Sequence, residues 1–76
     1  MDARIEQHIE GMKAGHHFIK SGVWRDIQAE PGRKYVKIIS ILSNGQRSAI
    51  EFIDPESGKI FRANSWRQKG RWISSI

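Results

Sequence analysis

The sequence contains no cysteine and no long apolar run. Disulfide bonds and thiolate metal sites are therefore excluded. The densest apolar stretch, residues 38–42, is interrupted by a serine and is far too short to cross a bilayer. Residues 1–20 carry three acids and lack the apolar segment of a secretory signal. We therefore expect a soluble, cytoplasmic protein without membrane contact.

Sequence motifs for catalysis are also missing. No serine lies in a nucleophile elbow, and no glycine-rich run ends in Lys-Ser or Lys-Thr as in a phosphate-binding loop. His8, His16 and His17 are eight positions and one position apart, so they do not converge on one side of a helix as zinc ligands would. We predict that the protein is not an enzyme and binds no metal or cofactor.

The first part of the chain has helical periodicity. Ile5, Ile9 and Met12 recur near the helical repeat, with His16 and Ile19 on the same stripe. Asp2 is suited to cap the helix N-terminus. Glycines at positions 11 and 15 weaken a helix interior by roughly 1 kcal/mol each, which favours an end near residue 13. The pattern predicts an amphipathic helix and a connector over residues 1–20.

From residue 22 onward, apolar residues alternate with period two between turn signals. Five strands are predicted, at residues 23–30, 33–42, 47–53, 59–63 and 71–76. Pro31-Gly32 predicts a type II turn and Asn44-Gly45 a type I′ hairpin turn. A single helical turn over residues 66–69, ended by Gly70, is predicted before the last strand. The order is typical of a small SH3-like barrel over residues 21–76, so we predict one mainly β (α+β) domain.

The second predicted strand is apolar on both faces. Val36, Ile38 and Leu42 face one side, and Ile39 and Ile41 face the other. Such a strand must be covered on both sides. The barrel interior covers one of them, and either the N-terminal helix or a second copy of the chain covers the other.

Positive charge is concentrated towards the end of the chain. The net charge is +5, and residues 58–76 hold five Lys or Arg but no acid, which indicates an anionic partner. If residues 66–69 form a helical turn, four cations lie on one rim of the barrel and can bind phosphates. These predicted contacts are Arg62, Arg67, Lys69 and Arg71, with Lys37 and Arg47 as outlying members.

Four aromatic residues are candidates for stacking on nucleobases, at about 1–3 kcal/mol per base. They are Trp24, Tyr35, Trp66 and Trp72. The alternative is burial, because tryptophan supplies the largest buried area in a small domain. Burial is the favoured interpretation for Trp66 and Trp72, and Trp24 is similar, since it alternates with Val23 and only one of the two can point inward. Of the four, Trp72 is the best stacking candidate, since it follows Arg71 on a short, edge-like strand.

Two segments, PGRKYVKII and RSAIEFIDPESGKIFRANSW, resemble a family of small proteins encoded by tailed bacteriophages, including marine ones. The shared positions are Gly32–Tyr35, Arg47-Ser48, Phe52–Asp54, Gly58, Ile60, Ala63 and Ser65-Trp66. The resemblance covers about residues 31–67, and the tail RQKGRWISSI departs from it. It implies expression in the cytoplasm of an infected bacterial cell and no particular activity.

Two hypotheses follow for function. The first is a small basic module that contacts DNA or RNA electrostatically without strong sequence specificity. The alternative is a protein-interaction module that binds a host bacterial protein or forms a homodimer through the stripe of Ile5, Ile9 and Met12. A basic edge without any partner is the third possibility.

Overall fold

The computed structural model describes residues 3–15 and 21–76. Its elements are one helix, α1 (Ala3–Gly15), and five strands, β1 (Trp24–Pro31), β2 (Val36–Leu42), β3 (Arg47–Ile53), β4 (Lys59–Ala63) and β5 (Lys69–Ser75). Every strand pairs antiparallel with its sequence neighbours, so the sheet has the order β1-β2-β3-β4-β5. The prediction of a mainly β fold with an N-terminal helix is confirmed. The predicted cap Asp2 and the stripe residues His16 and Ile19 lie outside the described residues.

The sheet is not closed into a barrel. β1 and β5 are its two edges, and within the described part of the chain no ladder joins them. Closure would need pairing between the first and last strands, whereas the short connections here pair each strand only with its neighbours. The expected SH3-like closure is therefore not formed. Among the described residues, no helix is long and apolar enough to span a membrane.

Two turns differ from their predicted types. A type I′ turn needs positive φ at Asn44, but among the described residues every positive φ belongs to a glycine. Here Leu42 N donates to Gln46 O at 2.8 Å, which closes a three-residue loop with Gly45 at φ 93°. Gly32 lacks the positive φ of a type II turn, and its amide donates to Tyr35 O at 3.0 Å.

The predicted helical turn over residues 66–69 is also wrong. The amides of Asn64 and Ser65 both donate to Gln68 O, at 2.9 and 3.3 Å, so the backbone bonds cross a hairpin loop between β4 and β5. Gly70 does not end a helix. A Cβ there would meet the Asn64 side chain and come within 3.0 Å of Arg62 O. Gly70 is therefore required for space where the loop rejoins the sheet.

The helix packs on one face of the sheet, which we call the helix-side face. The core there consists of Ile5, Ile9, Ile27, Val36, Ile38, Ile53 and Ile60. Ile5 is fully buried and Met12 packs at the margin, so the described part of the predicted helical stripe is covered within one chain.

Three polar contacts also hold α1 on this face. Lys13 Nζ lies 3.2 Å from Asp26 Oδ1, and Arg4 Nη2 donates to Pro55 O at 2.8 Å. The third joins His8 Nε2 to Glu51 Oε1 at 3.1 Å. The helix is thus linked to β1, to β3 and to the β3–β4 turn.

The opposite face of the sheet also buries apolar side chains. Ile39, Ile41 and Phe52 are buried but do not belong to the helix-side core. Alternation along β2 turns Ile39 and Ile41 away from Ile38. The prediction that this strand is covered on both faces is confirmed.

Candidate functional site

The face opposite the helix carries a continuous set of rings and cations. Ile60 lies in the helix-side core, so its neighbours Lys59 and Phe61 project from the other face. Ring and cation contacts extend this set across β2, β3 and β5. We call it the aromatic–cation surface, and it consists of Tyr35, Phe52, Phe61, Trp66 and Trp72 with Lys34, Lys37, Arg47, Lys59 and Lys69.

Three rings form the base of this surface. Phe52 and Phe61 are direct partners in the β3–β4 register. The Tyr35 ring meets both edge to face, with centroids at 6.5 Å from Phe52 and 5.9 Å from Phe61. Edge-to-face pairs of this kind contribute about 0.5–1.5 kcal/mol beyond area burial. The rings are therefore held as a fixed platform.

Three lysines lie over these rings, and the first of them, Lys34, has its Nζ 5.4 Å from the Tyr35 centroid. Lys69 Nζ is 4.3 Å from the Phe61 centroid and 5.8 Å from that of Tyr35. Lys37 Nζ lies 6.0 Å from the Phe52 centroid and 4.0 Å from that of Trp66. Each ammonium is thus positioned above the sheet, where a solvent anion can reach it.

Trp66 reaches across the sheet from the β4–β5 loop. Besides Lys37, its ring has the Arg47 guanidinium carbon 5.7 Å from its centroid. Lys37 and Arg47 flank Ile39 in the β2–β3 register, so the indole lies above the middle of these strands. It remains 38% exposed. The favoured interpretation of Trp66 as a core residue was wrong.

Trp72 is the most exposed of the large apolar side chains described, at 56%. Its Nε1–H donates to Ser74 O at 2.7 Å, so the polar end of the indole is satisfied by its own strand. Lys59 Nζ lies 5.1 Å from its ring centroid. Burial of Trp72 was also a wrong expectation. The third tryptophan, Trp24, is half-buried and packs against the helix-side core.

Carboxylates contribute little to this surface. Arg47 Nη2 lies 3.9 Å from Glu30 Oε2, a loose and exposed pair. Among the described residues, no carboxylate comes within 4.0 Å of the four lysines of the surface. Exposed pairs such as Arg47–Glu30 are worth at most about 1 kcal/mol. Among the described residues, the charges of these four lysines are therefore not neutralised by an ion pair.

The four-cation rim predicted from the sequence is not formed. Arg62 is the register partner of Glu51, which contacts α1, so Arg62 lies on the helix-side face. Lys69 lies on the opposite face, over Phe61. Arg67 and Arg71 are exposed, and no described ring or carboxylate pairs with either. Without a helical turn, nothing brings these four side chains to one edge.

Lys37 and Arg47, predicted as outlying members, lie instead at the centre of the surface beside Trp66. Lys69 and Trp72 also belong to it, as does Tyr35. Sequence reasoning missed four members: Lys34, Phe52, Lys59 and Phe61. The Lys59–Phe61 spacing, a cation and a ring two positions apart on one strand, was a signal that could have revealed this face.

A depression of about 240 Å³ adjoins the surface at the β1–β2 turn. It is lined by residues 30–35 with Lys37 and Phe52, so it extends the surface at one end. Within residues 3–15 and 21–76, no group of three or more His, Cys, Asp or Glu side chains could hold a metal ion. His16 and His17 lie outside the described residues. The described functional side chains of this face are thus its cations and aromatic rings.

Comparison with known proteins identifies a family that matches most of the chain. A search of curated proteins and a search of solved structures each found no match. The matching family is described only as one of unknown function, so the resemblance to phage proteins stays a prediction. The match spans residues 2–73, and the chain belongs to this family of unknown function, DUF7717.

Proposed function

We propose that the protein is a small binding module that contacts nucleic acid electrostatically and without strong sequence specificity. The observation that carries the proposal is the aromatic–cation surface, where five cations lie against five rings and, among the described residues, only Arg47 has a carboxylate within 4.0 Å. Following the phage resemblance, we place this activity in the cytoplasm of an infected bacterial cell.

Lysines held over rings are suited to this role. An exposed cation–π contact is worth about 0.5–1 kcal/mol, which orients the ammonium but does not neutralise it. A phosphate can therefore accept from the ammonium while the ring stays in contact with the lysine stem. Each phosphate neutralised releases counterions, so affinity falls as salt rises. The described helix packs on the other face, so it is not available to enter a groove and read base edges.

The test is an anisotropy titration with labelled DNA and RNA oligonucleotides over a salt series. At about 50 mM salt we expect binding, with a slope of log affinity against log salt near −2 to −3 on single strands, as for three to four phosphates. The variant Lys37→Gln/Lys69→Gln should make the slope less steep by about 1.4. Absence of binding to any of these oligonucleotides would remove the proposal.

A matched control removes the same charge elsewhere. Arg25 and Arg62 are exposed, and neither contacts a described ring of the surface. Arg25→Gln/Arg62→Gln lowers the net charge equally and should leave most of the affinity. If it weakens binding as much as the lysine pair does, net charge and not this face is responsible.

The alternative, a protein-interaction module, has one supporting observation of its own. β5 is an edge strand that exposes Trp72 and Ile73, and edge strands can pair with a strand of another chain. A dimer through α1 would require the helix to leave its own sheet, because Ile5 and Ile9 are buried there. Light scattering after size exclusion, with nuclease-treated protein, distinguishes a dimer from a monomer.

A further inference from the structure

We infer that the aromatic–cation surface takes a single-stranded polynucleotide in preference to a duplex, with Trp72 and Trp66 as the stacking rings. The inference rests on the proposed function and specifies the form of its ligand. DNA and RNA single strands share the relevant chemistry, which is an exposed base face joined through a sugar to a phosphate.

The pairing of rings with cations carries this inference. Each of the two exposed indoles has an ammonium close to its face: Lys59 at 5.1 Å from Trp72, and Lys37 at 4.0 Å from Trp66. A nucleotide of a single strand presents a flat base and a phosphate at the two ends of one sugar. A ring beside a cation can therefore bind both parts of one nucleotide, by stacking and by charge.

The state of the Trp72 indole supports the same conclusion. Its N–H is already bonded to Ser74 O, so the side chain needs no hydrogen-bond partner from a ligand. The residue is more than half exposed, so the indole offers ring surface to solvent. Its register partner Phe61 belongs to the fixed platform of rings beneath. A ring held in place in this way loses little conformational entropy when a base stacks on it.

A duplex does not offer matching groups. Its base faces are stacked within the double helix, and only base edges reach the grooves. On such a ligand the cations could contact phosphates, but the indoles would face sugar and solvent. Their exposed apolar area would then contribute little to binding. Stacking adds affinity only for the strand whose bases are free, so the surface should discriminate between the two forms.

The experiment compares four labelled or competing probes against the full chain at one salt concentration. These are a mixed-sequence DNA single strand, its RNA equivalent, the matching DNA duplex, and inorganic polyphosphate as a polyanion without bases. We expect both single strands to bind at least about tenfold more tightly than the duplex and the polyphosphate, as one well-stacked base would provide. The two single-strand arms show whether DNA or RNA is preferred.

The variant Trp72→Ala should weaken single-strand binding by about 5- to 150-fold, equivalent to about 1–3 kcal/mol for one stacked base. It should leave polyphosphate binding unchanged. Ile73→Ala is the matched control, because it removes exposed apolar area from the neighbouring position on the same strand. Urea midpoints establish that both variants are folded. In the unaltered protein, stacking should quench tryptophan emission with single strands but not with polyphosphate.

Equal affinity for single strand and duplex, an effect of Trp72→Ala no larger than that of Ile73→Ala, or unquenched emission would each overturn the inference. Binding to oligonucleotides in those cases would leave the proposed function standing. If none of the four probes binds, both the inference and the proposed function are wrong.

Discussion

The two faces of the sheet are built from different chemistry. The buried core of the helix-side face consists of isoleucine and valine and is covered by α1. The opposite face carries five rings and five cations, and two of its indoles are exposed to solvent. Since residues alternate between faces along each strand, neighbouring positions have different roles. Substitutions one residue apart can therefore separate folding from binding.

The largest expected effect tests the helix-side face. Ile5 is fully buried between α1 and the sheet. Ile5→Ala should lower the free energy of unfolding by about 2–5 kcal/mol, from lost burial and the cavity left behind. Equilibrium urea unfolding measures it. Trp72→Ala, on the other face, should cost less than about 1 kcal/mol. If Trp72→Ala lowers the free energy of unfolding as much as Ile5→Ala does, the claim that the two faces have different roles is wrong.

A smaller effect tests how the β4–β5 loop presents Trp66. In Gly70→Ala the new Cβ would meet the Asn64 side chain and the Arg62 carbonyl. We expect a loss of about 1–3 kcal/mol from overpacking, with a change in Trp66 emission as the loop shifts. Gly11→Ala is the control, since a Cβ there meets no atom within 4 Å. That variant should instead stabilise the helix by about 0.5–1 kcal/mol. Equal destabilisation by both would contradict the structure of the loop.

The smallest effect concerns a polar link on the helix side. Burial raises the pKa of Asp26, but the Ile27 amide and Lys13 more than offset this, so the pKa lies below its ordinary value of 3.8. Because the pKa of Asp26 is lower in the folded than in the unfolded state, its ionised carboxylate stabilises the fold at pH values above the unfolded pKa. This stabilisation is lost as the pH falls through the folded pKa. Because the pair is over a third exposed, Asp26→Asn should cost less than about 1 kcal/mol at pH 6.

Urea unfolding at pH 6, 4.5 and 3 measures how much Asp26 contributes to the free energy of unfolding at each pH. The difference between the unaltered protein and Asp26→Asn should shrink as the pH is lowered. It should also be smaller in a Lys13→Gln background, because the ion pair is then already broken. A difference that grows towards pH 3 has the wrong sign for this account.

The sequence predicted the elements well because periodicity is a local property. α1, the strand order and the doubly covered β2 all follow from spacings within ten residues or so. The turns were less predictable: Asn44-Gly45 fits both a two-residue and a three-residue hairpin loop. Ser65 and Gly70 fit a helical turn as well as a loop, since serine and glycine occur in both.

The composition of the aromatic–cation surface could not be predicted from residue spacing along the sequence. Arg62 and Lys69 are seven positions apart, and only the register and irregularities of β4 and β5 decide that they lie on opposite faces. Trp66 could be assigned to core or surface only once its contacts with distant strands were known. Predicting such contacts from one sequence requires the path of the β4–β5 loop over the sheet, which no local pattern specifies.

The position of the Trp66 ring also has a consequence for the order of folding. Its contacts with Lys37 and Arg47 join a loop late in the chain to strands formed by its middle. This contact requires that the β2–β3 and β4–β5 hairpins are both formed and lie in one sheet. Contacts of such long sequence separation close after local ones, because the intervening chain must first be ordered. Completion of the aromatic–cation surface is therefore a late event in refolding.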